Sequence, residues 1–324
     1  MKKFNVNIAK AFARTFWPTA GISLTWRKLL YRQLCKAGMT PNFSFSTEFF
    51  GLKYDGNLNN SIEASILFYG AFEKPLLFFL RDMWCNLPKE NAENNPKKPT
   101  FVDIGANIGQ HSLFMSQIVP HVVAFEPFSN VNTKFKHHID INEIDNIILN
   151  EFALSDRLES LQFYAPMGRN QGVGSFDRNT ISKGNVAIGQ LELTPGDHYF
   201  EKNADLCPKL IKIDVEGVER KVVNGLKRTL CNYRPVLVCE ISYGKQHSFN
   251  SETELIASLP EKYRLLSFKT RLPDGSKAKR IGSIAKRTGK YEIVNFKKWR
   301  KSGQDDIIFV PEEYLTLIPR FDDN

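Results

Sequence analysis

Apolar residues recur with two different periods along this chain, and the changes of period mark the predicted elements. From residue 100 onward, short apolar runs typical of buried strands alternate with stretches in which apolar residues recur at helical spacing. This alternation is typical of an α/β fold with a mostly parallel sheet. The predicted strands are 100–103, 122–125, 147–152, 210–214 and 235–241, with further candidates at 161–164, 187–193, 263–268 and 306–310.

The first residues of the chain have a helical pattern of a different kind. Residues 4–16 and 22–36 carry apolar side chains at helical spacing, and in the second stretch lysine and arginine occupy the opposite face. This pattern predicts two basic amphipathic helices. Three interpretations remain open for them: a cap packed on the body, a helix lying on a membrane surface, or an organellar presequence.

The next segment is aromatic, with one helix predicted at 62–79 and a polar linker punctuated by prolines from residue 88. Helices are also predicted at 130–141 and 218–230, between the strands. The sequence therefore predicts three parts: a basic helical extension at 1–47, a helical lead-in and linker at 48–99, and the sheet domain at 100–324.

The chain has a formal net charge of +9, and its charged residues are distributed unevenly along the sequence. Residues 1–47 contain eight lysines and arginines and no acid, and residues 262–301 contain fourteen against Asp274 and Glu292. The remainder is acidic, so the two basic segments need separate explanations. Residues 269–305 show no clear period and are interpreted as one long basic loop that receives an anionic part of a substrate.

The cysteines and the apolar runs limit the class of protein. Five cysteines, an odd number without a C-x-x-C pair, favour reduced thiols in a cytoplasmic protein over a disulfide framework or a zinc site. The longest strongly apolar run, 76–80, is too short to span a bilayer. We therefore expect a cytoplasmic protein, with peripheral membrane contact through 1–47 as the alternative that the basic helices leave open.

A glycine-spaced turn follows the first predicted strand. It reads D-x-G-x-N-x-G, from Asp103 through Gly105 and Asn107 to Gly109, and the next strand ends in Glu126. A dinucleotide site would need G-x-G-x-x-G to bring the backbone close to a pyrophosphate. This turn favours a phosphate-free nucleoside such as S-adenosylmethionine, with Glu126 accepting the ribose hydroxyls.

Acids follow several predicted strands and are expected to share one edge of the sheet. They are Asp103, Glu126, Asp214 and Glu240, and parallel strands with right-handed crossovers bring such ends to one crevice. Glu216 lies two positions after Asp214, so both carboxylates point to the same side of an extended strand, unless Glu216 caps the next helix. A divalent metal on these two acids stays open, but without a third fixed ligand the sequence assigns none.

Two further residues are candidates for chemistry. Asp156 follows a strand and either accepts the exocyclic amine of adenine or is an ordinary turn aspartate. His247 lies just past the strand at 235–241 and is a candidate general base, because its ordinary pKa suits proton removal near neutrality. A hydroxyl acceptor needs such a base, and Asp214, Glu216, Glu240 and His247 are the candidates.

Several motifs of the chain resemble those of the FkbM family of S-adenosylmethionine-dependent methyltransferases. The resemblance covers roughly residues 50–310. The motifs are DIGANIGQHS from residue 103, AFEP around Glu126, ALSD ending at Asp156 and IKIDVEGVE from residue 211, with YGAFE from residue 69 and DDIIFVP from residue 305. One departure is Leu193-Thr-Pro-Gly-Asp197, where the family usually carries T-L-D, so the role of Asp197 is open.

The resemblance implies a class I methyltransferase sheet of seven strands, in which the last strand is antiparallel and forms a hairpin with the sixth. It also implies roles for individual residues. Asp103, Gly105, Asn107, Gly109 and Glu126 would bind the methionine and ribose ends of the cofactor, Asp156 would bind adenine, and Asp214 and Glu216 would line the transfer site.

The expected activity is O-methylation of a hydroxyl on a sugar, glycolipid, polyketide or other secondary metabolite. Two other functions compete with it. The basic segment favours a nucleic-acid methyltransferase. Against that function, the chain lacks the Asn/Asp-Pro-Pro-aromatic tetrad that clamps a flipped base. A non-catalytic, membrane-attached protein with a degenerate cofactor pocket is disfavoured by the intact D-x-G-x-N-x-G and D-x-E-G sets. The sequence does not identify the acceptor.

Overall fold

The computed structural model describes residues 16–17, 21–39, 41–88, 97–166, 174–271, 276 and 278–322. The contacts divide the chain into two units, Met1–Phe72 and Glu73–Asn324. The helix predicted at 4–16 falls almost entirely outside the described residues. Within the described ranges, every helix is too short or too polar to cross a bilayer.

The smaller unit contains a helix, a β-hairpin and a second helix: α1 (Leu24–Lys36), β1 (Ser44–Phe49), β2 (Leu52–Asn57) and α2 (Ser61–Tyr69). Trp17, Leu58 and Phe68 form the buried cluster of this unit. Helix α1 buries Leu34 and leaves Trp26 and Leu29 exposed. The apolar face that the sequence predicts for this helix is thus divided between the unit's interior and solvent.

The larger unit begins with a helix that the sequence analysis assigned to a lead-in segment. A single helix was expected at 62–79, but α2 ends at Gly70, which adopts the left-handed conformation that terminates helices. The elements of the larger unit are α3 (Lys74–Asn86), β3 (Lys98–Ile104), α4 (Gln110–Ser116), β4 (His121–Phe125), α5 (Ser129–Ile141), β5 (Ile147–Asn150), β6 (Ala153–Ser155), β7 (Glu159–Pro166), β8 (Asn185–Pro195), α6 (Gly196–Lys202), β9 (Leu206–Ile213), α7 (Glu219–Asn224), α8 (Lys227–Tyr233), β10 (Val236–Tyr243), α9 (Glu252–Ala257), β11 (Tyr263–Phe268), α10 (Lys279–Thr288), β12 (Ile293–Asn295), β13 (Gly303–Pro311) and β14 (Phe321–Asp322).

The main sheet is mixed, as predicted, and has nine strands in the order β14-β12-β11-β13-β10-β9-β3-β4-β5. Five neighbouring strands of this sheet are parallel: β5, β4, β3, β9 and β10. Strand β13 runs antiparallel to both of its neighbours, β10 and β11. The expected count of seven strands is therefore wrong, because the short strands β12 and β14 extend one edge. Strands of two or three residues are too short to produce a periodic signal in the sequence.

The segment 269–305 is not one long loop, which corrects the sequence interpretation. It contains helix α10 and strand β12. Helix α10 is exposed along most of its length and is flanked by the buried small residues Ala278 and Gly289. Ile281, Ile284 and Ala285 recur at helical spacing between lysines and arginines, so the sequence carried this period and the loop interpretation overlooked it.

The strands predicted at 161–164 and 187–193 are confirmed, but they lie in a separate three-stranded sheet, β6-β8-β7. The helix predicted at 218–230 is two short helices, α7 and α8. The main sheet buries apolar side chains from its central strands, among them Ile104, Phe125 and Ile213. Burial of such a side chain contributes about 1.5–3 kcal/mol, so the central strands fix the positions of the residues that follow them.

Candidate active site

The turn after β3 has the conformation that its glycines allow. Gly105 has φ of 78°, and a Cβ atom at this position would lie 1.8 Å from the carbonyl oxygen of Asp214. The turn therefore passes directly against the end of β9, and only glycine permits that approach. Asn107 also adopts a left-handed conformation, with φ of 53°. The turn thus brings two of the predicted motifs, after β3 and after β9, into contact.

Asp103 is buried inside the protein, and its contacts are with protein groups. Its carboxylate accepts a hydrogen bond from Ser112 Oγ at 2.7 Å and pairs with Lys212 Nζ at 3.2 Å. Lys212 Nζ also donates to the carbonyl of Gly105 at 3.3 Å. Burial alone would lower the Lys212 pKa, but Asp103 and Asp214 outweigh it and raise that pKa above its ordinary value. This pair holds the turn against β9; the predicted contact of Asp103 with a ligand stays a prediction.

Glu126 is tied to the same turn by its carboxylate. One oxygen accepts the backbone N–H of Asn107 at 2.8 Å, and the other accepts that of Phe128 at 2.9 Å. Burial raises the pKa of Glu126 to about 7, although the two backbone N–H groups act in the opposite direction. Each carboxylate oxygen can accept a further hydrogen bond. Glu126 is thus oriented to receive hydroxyl or amine donors.

A second polar group beside Glu126 lacks a partner. Asn132 donates from Nδ2 to the backbone carbonyl of Glu126 at 2.6 Å. Its Oδ1 atom is buried and makes no hydrogen bond to the described residues. The side chain that holds the Glu126 backbone thus retains a buried acceptor that a bound hydrogen-bond donor could satisfy.

Three predicted acids meet, two of them after the end of β9 and one within β10. One carboxylate oxygen from each of Asp214, Glu216 and Glu240 lies within 4.8 Å of the others. Lys245 Nζ contacts Glu216 Oε2 at 2.9 Å, and Gln304 Nε2 donates to Glu240 Oε2 at 2.6 Å. These three acids form the acidic cluster, and the structure brings them together as the sequence predicted. Three such oxygens could coordinate a divalent cation, but we assign none because Lys245 and Gln304 already engage two of the carboxylates.

Within the acidic cluster, the surroundings of Glu240 favour its protonated form. Burial, followed by the charges of Asp214 and Asp306, raises the pKa of Glu240 far above its ordinary value. Asp306 lies directly opposite Glu240 on β13, and burial followed by the charge of Asp214 raises its pKa to about 7. Glu240 therefore holds a proton near neutrality, and Asp306 on the adjacent strand titrates in the same range.

Comparison with known proteins assigns the chain to a family. Residues 103–265, half of the chain, match the model described as "Methyltransferase FkbM domain". The chain belongs to the FkbM methyltransferase family. It is 26% identical over 148 residues to Methyltransferase 1 of Beauveria bassiana (strain ARSEF 2860), a match that covers 40% of this chain and 59% of that protein. The match thus spans less than two thirds of that relative.

Solved structures are also similar to this FkbM-family chain. The methyltransferase FkbM of Methylobacillus flagellatus KT is 15% identical, with a TM-score of 0.41, covering 76% of this chain and 52% of that chain. The tRNA (uracil-54, C5)-methyltransferase of Pyrococcus abyssi, solved in complex with S-adenosyl-L-homocysteine, is 13% identical, with a TM-score of 0.36, covering 82% of this chain and 44% of that chain.

Two predicted site residues of the FkbM-family chain lie away from these contacts. Asp156 is exposed after β6 and accepts a hydrogen bond from Ser155 Oγ at 3.3 Å. His247 is in the field of Lys221 and Arg220, which, after burial, lower its pKa. The roles of both residues stay predictions.

Asp197, whose role the sequence left open, has a structural function in this FkbM-family chain. It is buried and caps the start of helix α8, accepting the backbone N–H groups of Arg228 at 3.0 Å and Thr229 at 2.8 Å. It also accepts the Thr229 hydroxyl at 2.8 Å. Side-chain acceptors at this position satisfy amides that have no intrahelical partner.

Sequence reasoning missed Glu73, which precedes α3. Its Oε2 lies 3.8 Å from Nε2 of His111. Burial, followed by the charges of Asp306 and Asp214, raises the Glu73 pKa well above its ordinary value. His111 is buried, and burial together with the positive charge of Lys212 lowers its pKa to about 3, so its imidazole is neutral. The only sequence signal was the Tyr69-Gly-Ala-Phe-Glu73 motif, which indicated the family but no role.

Proposed function

We propose that the protein is an S-adenosylmethionine-dependent methyltransferase that methylates a hydroxyl of a small molecule, a glycan or a lipid. Sugars, glycolipids, polyketides and other secondary metabolites are the acceptor classes. The observation that carries the proposal is the convergence of two sites on one sheet edge. The turn after β3 with Glu126 suits a nucleoside, and the acidic cluster after β9 suits proton removal.

Each group has a separate task in this proposal. The cofactor, when bound, supplies a methyl group on a positively charged sulfur. Glu126 accepts the ribose hydroxyls, Gly105, Asn107 and Gly109 shape the turn around the methionine end, and Asp156 accepts the adenine amine. Asp103 with Lys212 keeps the turn in place. Because methyl transfer is an in-line displacement, alignment of the acceptor oxygen is the main contribution of the protein.

A carboxylate at this sheet edge receives the proton of the acceptor hydroxyl. The hydroxyl oxygen forms the new bond to the methyl carbon, the carbon–sulfur bond breaks with its electron pair going to sulfur, and the proton passes to that carboxylate. Asp214 and Glu216 line the transfer site and orient the acceptor hydroxyl, with Glu240 and Asp306 next to them.

The first experiment tests both binding and transfer. Calorimetry should give micromolar affinity for S-adenosylmethionine or its demethylated product. Incubation with labelled cofactor and with metabolite or lipid extracts should then label a hydroxyl-bearing compound, which mass spectrometry identifies. Absence of cofactor binding would favour the non-catalytic alternative, and labelled nucleic acid in place of a metabolite would favour the nucleic-acid alternative.

We also propose a cytoplasmic protein with peripheral contact between residues 1–47 and anionic membranes. Exposed Trp26 and Leu29, beside Lys28 and Arg32 on α1, support it. Deletion of residues 1–40 should abolish sedimentation with anionic vesicles while cofactor binding persists. If the full-length protein ignores such vesicles even at low salt, the segment is only a packed cap.

A further inference from the structure

We propose that Glu73 is a catalytic residue whose carboxylate contacts the acceptor hydroxyl and receives its proton. This inference deepens the proposed function and rests on it. Glu73 lies outside residues 103–265, the segment that matches the family model. Its side chain is 29% exposed, so an acceptor can reach it from solvent. Three features of the residue support the assignment.

The backbone of Glu73 is strained. The residue has φ of 45° and ψ of 43°, a left-handed conformation that disfavours residues other than glycine, asparagine and aspartate. Such a conformation persists only where the surrounding structure enforces it, and it occurs often at functional sites. Glu73 is the residue before the first turn of α3, yet its side chain makes no capping hydrogen bond there. Local helix stability therefore does not explain why glutamate occupies this position.

The surroundings of the carboxylate are also unfavourable for a purely structural role. Asp306, Asp214 and Glu216 all repel its negative charge, and Lys212 is the cation that opposes them. Lys212 already pairs with Asp103 at 3.2 Å. A structural glutamate at a helix start would gain more from the exposed amides of the helix. Here the carboxylate is directed toward like charges, as in sites where one of several acids retains a proton.

The third feature is the imidazole of His111, which lies beside the Glu73 carboxylate. His111 Nε2 is buried and makes no hydrogen bond to the described residues, although Glu73 Oε2 is 3.8 Å away. This distance exceeds that of a hydrogen bond, so a neutral imidazole lies beside a carboxylate without engaging it. One oxygen of Glu73 is thus left for another donor, and the acceptor hydroxyl is the donor that the proposed reaction provides.

In the proposed step Glu73 is ionised, because the positive charge on the sulfur of the bound cofactor offsets the like charges that raise its pKa. The acceptor O–H donates to this carboxylate. As the oxygen bonds to the methyl carbon and the carbon–sulfur electron pair moves to sulfur, the proton transfers to the Glu73 carboxylate. The carboxyl group that results is neutral, which relieves its repulsion with Asp214 and Asp306. Lys212 keeps its charge throughout, because its partner Asp103 is unaffected.

The test uses two substitutions, Glu73→Gln and Glu73→Gly, in the full chain. Glu73→Gln keeps the shape and removes the base, so label transferred from labelled S-adenosylmethionine to a metabolite extract, at saturating cofactor, should fall about 10²-fold. Binding of S-adenosylhomocysteine should change less than about threefold. In Glu73→Gln the acid limb of the pH–rate profile should be altered. Unaltered transfer with Glu73→Gln, or loss of cofactor affinity equal to the loss of transfer, overturns the assignment.

Glu143 provides a matched control, since it is an exposed glutamate with φ of 52°, in the same backbone region. Replacement of either glutamate by glycine relieves the strained conformation, so both variants should unfold at the same or a higher temperature than the parent. Only Glu73→Gly should lose methyl transfer. If Glu73→Gly lowers the melting temperature and Glu143→Gly does not, Glu73 is structural and the proposal fails, whatever the acceptor. A parent protein that binds no cofactor refutes the proposed function instead.

Discussion

Glu126 is buried and Glu240 is half-buried, and both belong to the main sheet or follow one of its strands. Different groups surround the two carboxylates. Glu126 is fixed by two backbone N–H groups of its own turn and the neighbouring one. Glu240 is surrounded by other acids, with Gln304 as its hydrogen-bond donor. The two backbone N–H groups hold the Glu126 carboxylate in one orientation, in which it can accept further hydrogen bonds. The neighbouring acids instead favour a proton on Glu240. Binding and proton removal are thus separated along one edge, and each can be changed alone.

The largest expected effect is on turnover. Asp214→Asn and Glu216→Gln should each lower the rate of methyl transfer by about 10²-fold or more, the usual scale for lost acid–base assistance. Cofactor affinity, measured by calorimetry, should change little, because Glu126 is untouched. If turnover survives both substitutions, the comparison fails on its proton-handling side, and Asp214 and Glu216 have no part in the transfer step.

The next effect is on binding. Glu126→Ala removes charge-assisted hydrogen bonds to the ribose, a loss of about 1.5–3 kcal/mol, so cofactor affinity should fall at least about tenfold. Circular dichroism should show a folded protein. Calorimetry that gives unchanged affinity would remove Glu126 from the site and leave the turn without its proposed function.

A third effect concerns the pH dependence of stability. Glu240 has a raised pKa in the folded protein, so the folded state binds a proton that the unfolded chain releases near its ordinary pKa. The stability it contributes is therefore complete below about pH 4.5 and is lost as pH rises toward the folded value. Glu240→Gln should make the decline in unfolding free energy between pH 5 and 8 shallower, by at most about 1.4 kcal/mol per pH unit. A steeper decline, measured by urea unfolding, would contradict this.

The smallest effect distinguishes a buried acid from an exposed one. Asp156 is exposed, so a hydrogen bond from it to adenine competes with water. Asp156→Ala should weaken cofactor binding by roughly 0.5–1 kcal/mol, about two- to fivefold. A loss as large as that for Glu126→Ala would show that the bound state excludes water from Asp156.

Much of this site could be predicted because strand ends carry their chemistry in sequence. Asp214, Glu216 and Glu240 follow apolar runs, and the parallel sheet brings them together. The involvement of Glu73 depends on a left-handed backbone and on distances across the fold, which no local pattern reports. The burial of Asp103 against Lys212 was equally hidden, since a lysine within a strand has no period that reveals its partner.

Helix α3 shows how the direction of Glu73 is maintained. Three contacts, four residues apart along α3, fasten one side of this helix to the C-terminal end of α10 and the residues that follow it. Lys74 Nζ donates to the carbonyl of Arg287 at 3.3 Å, Phe78 packs on Gly289, and Tyr291 donates its hydroxyl to Asp82 at 2.5 Å. The helix cannot turn about its axis without breaking all three. The contact between Tyr291 and Asp82 lies nine residues, about 13 Å, along α3 from Glu73. It helps to fix the orientation of the Glu73 carboxylate, so a substitution at Tyr291 would change that orientation without a direct contact.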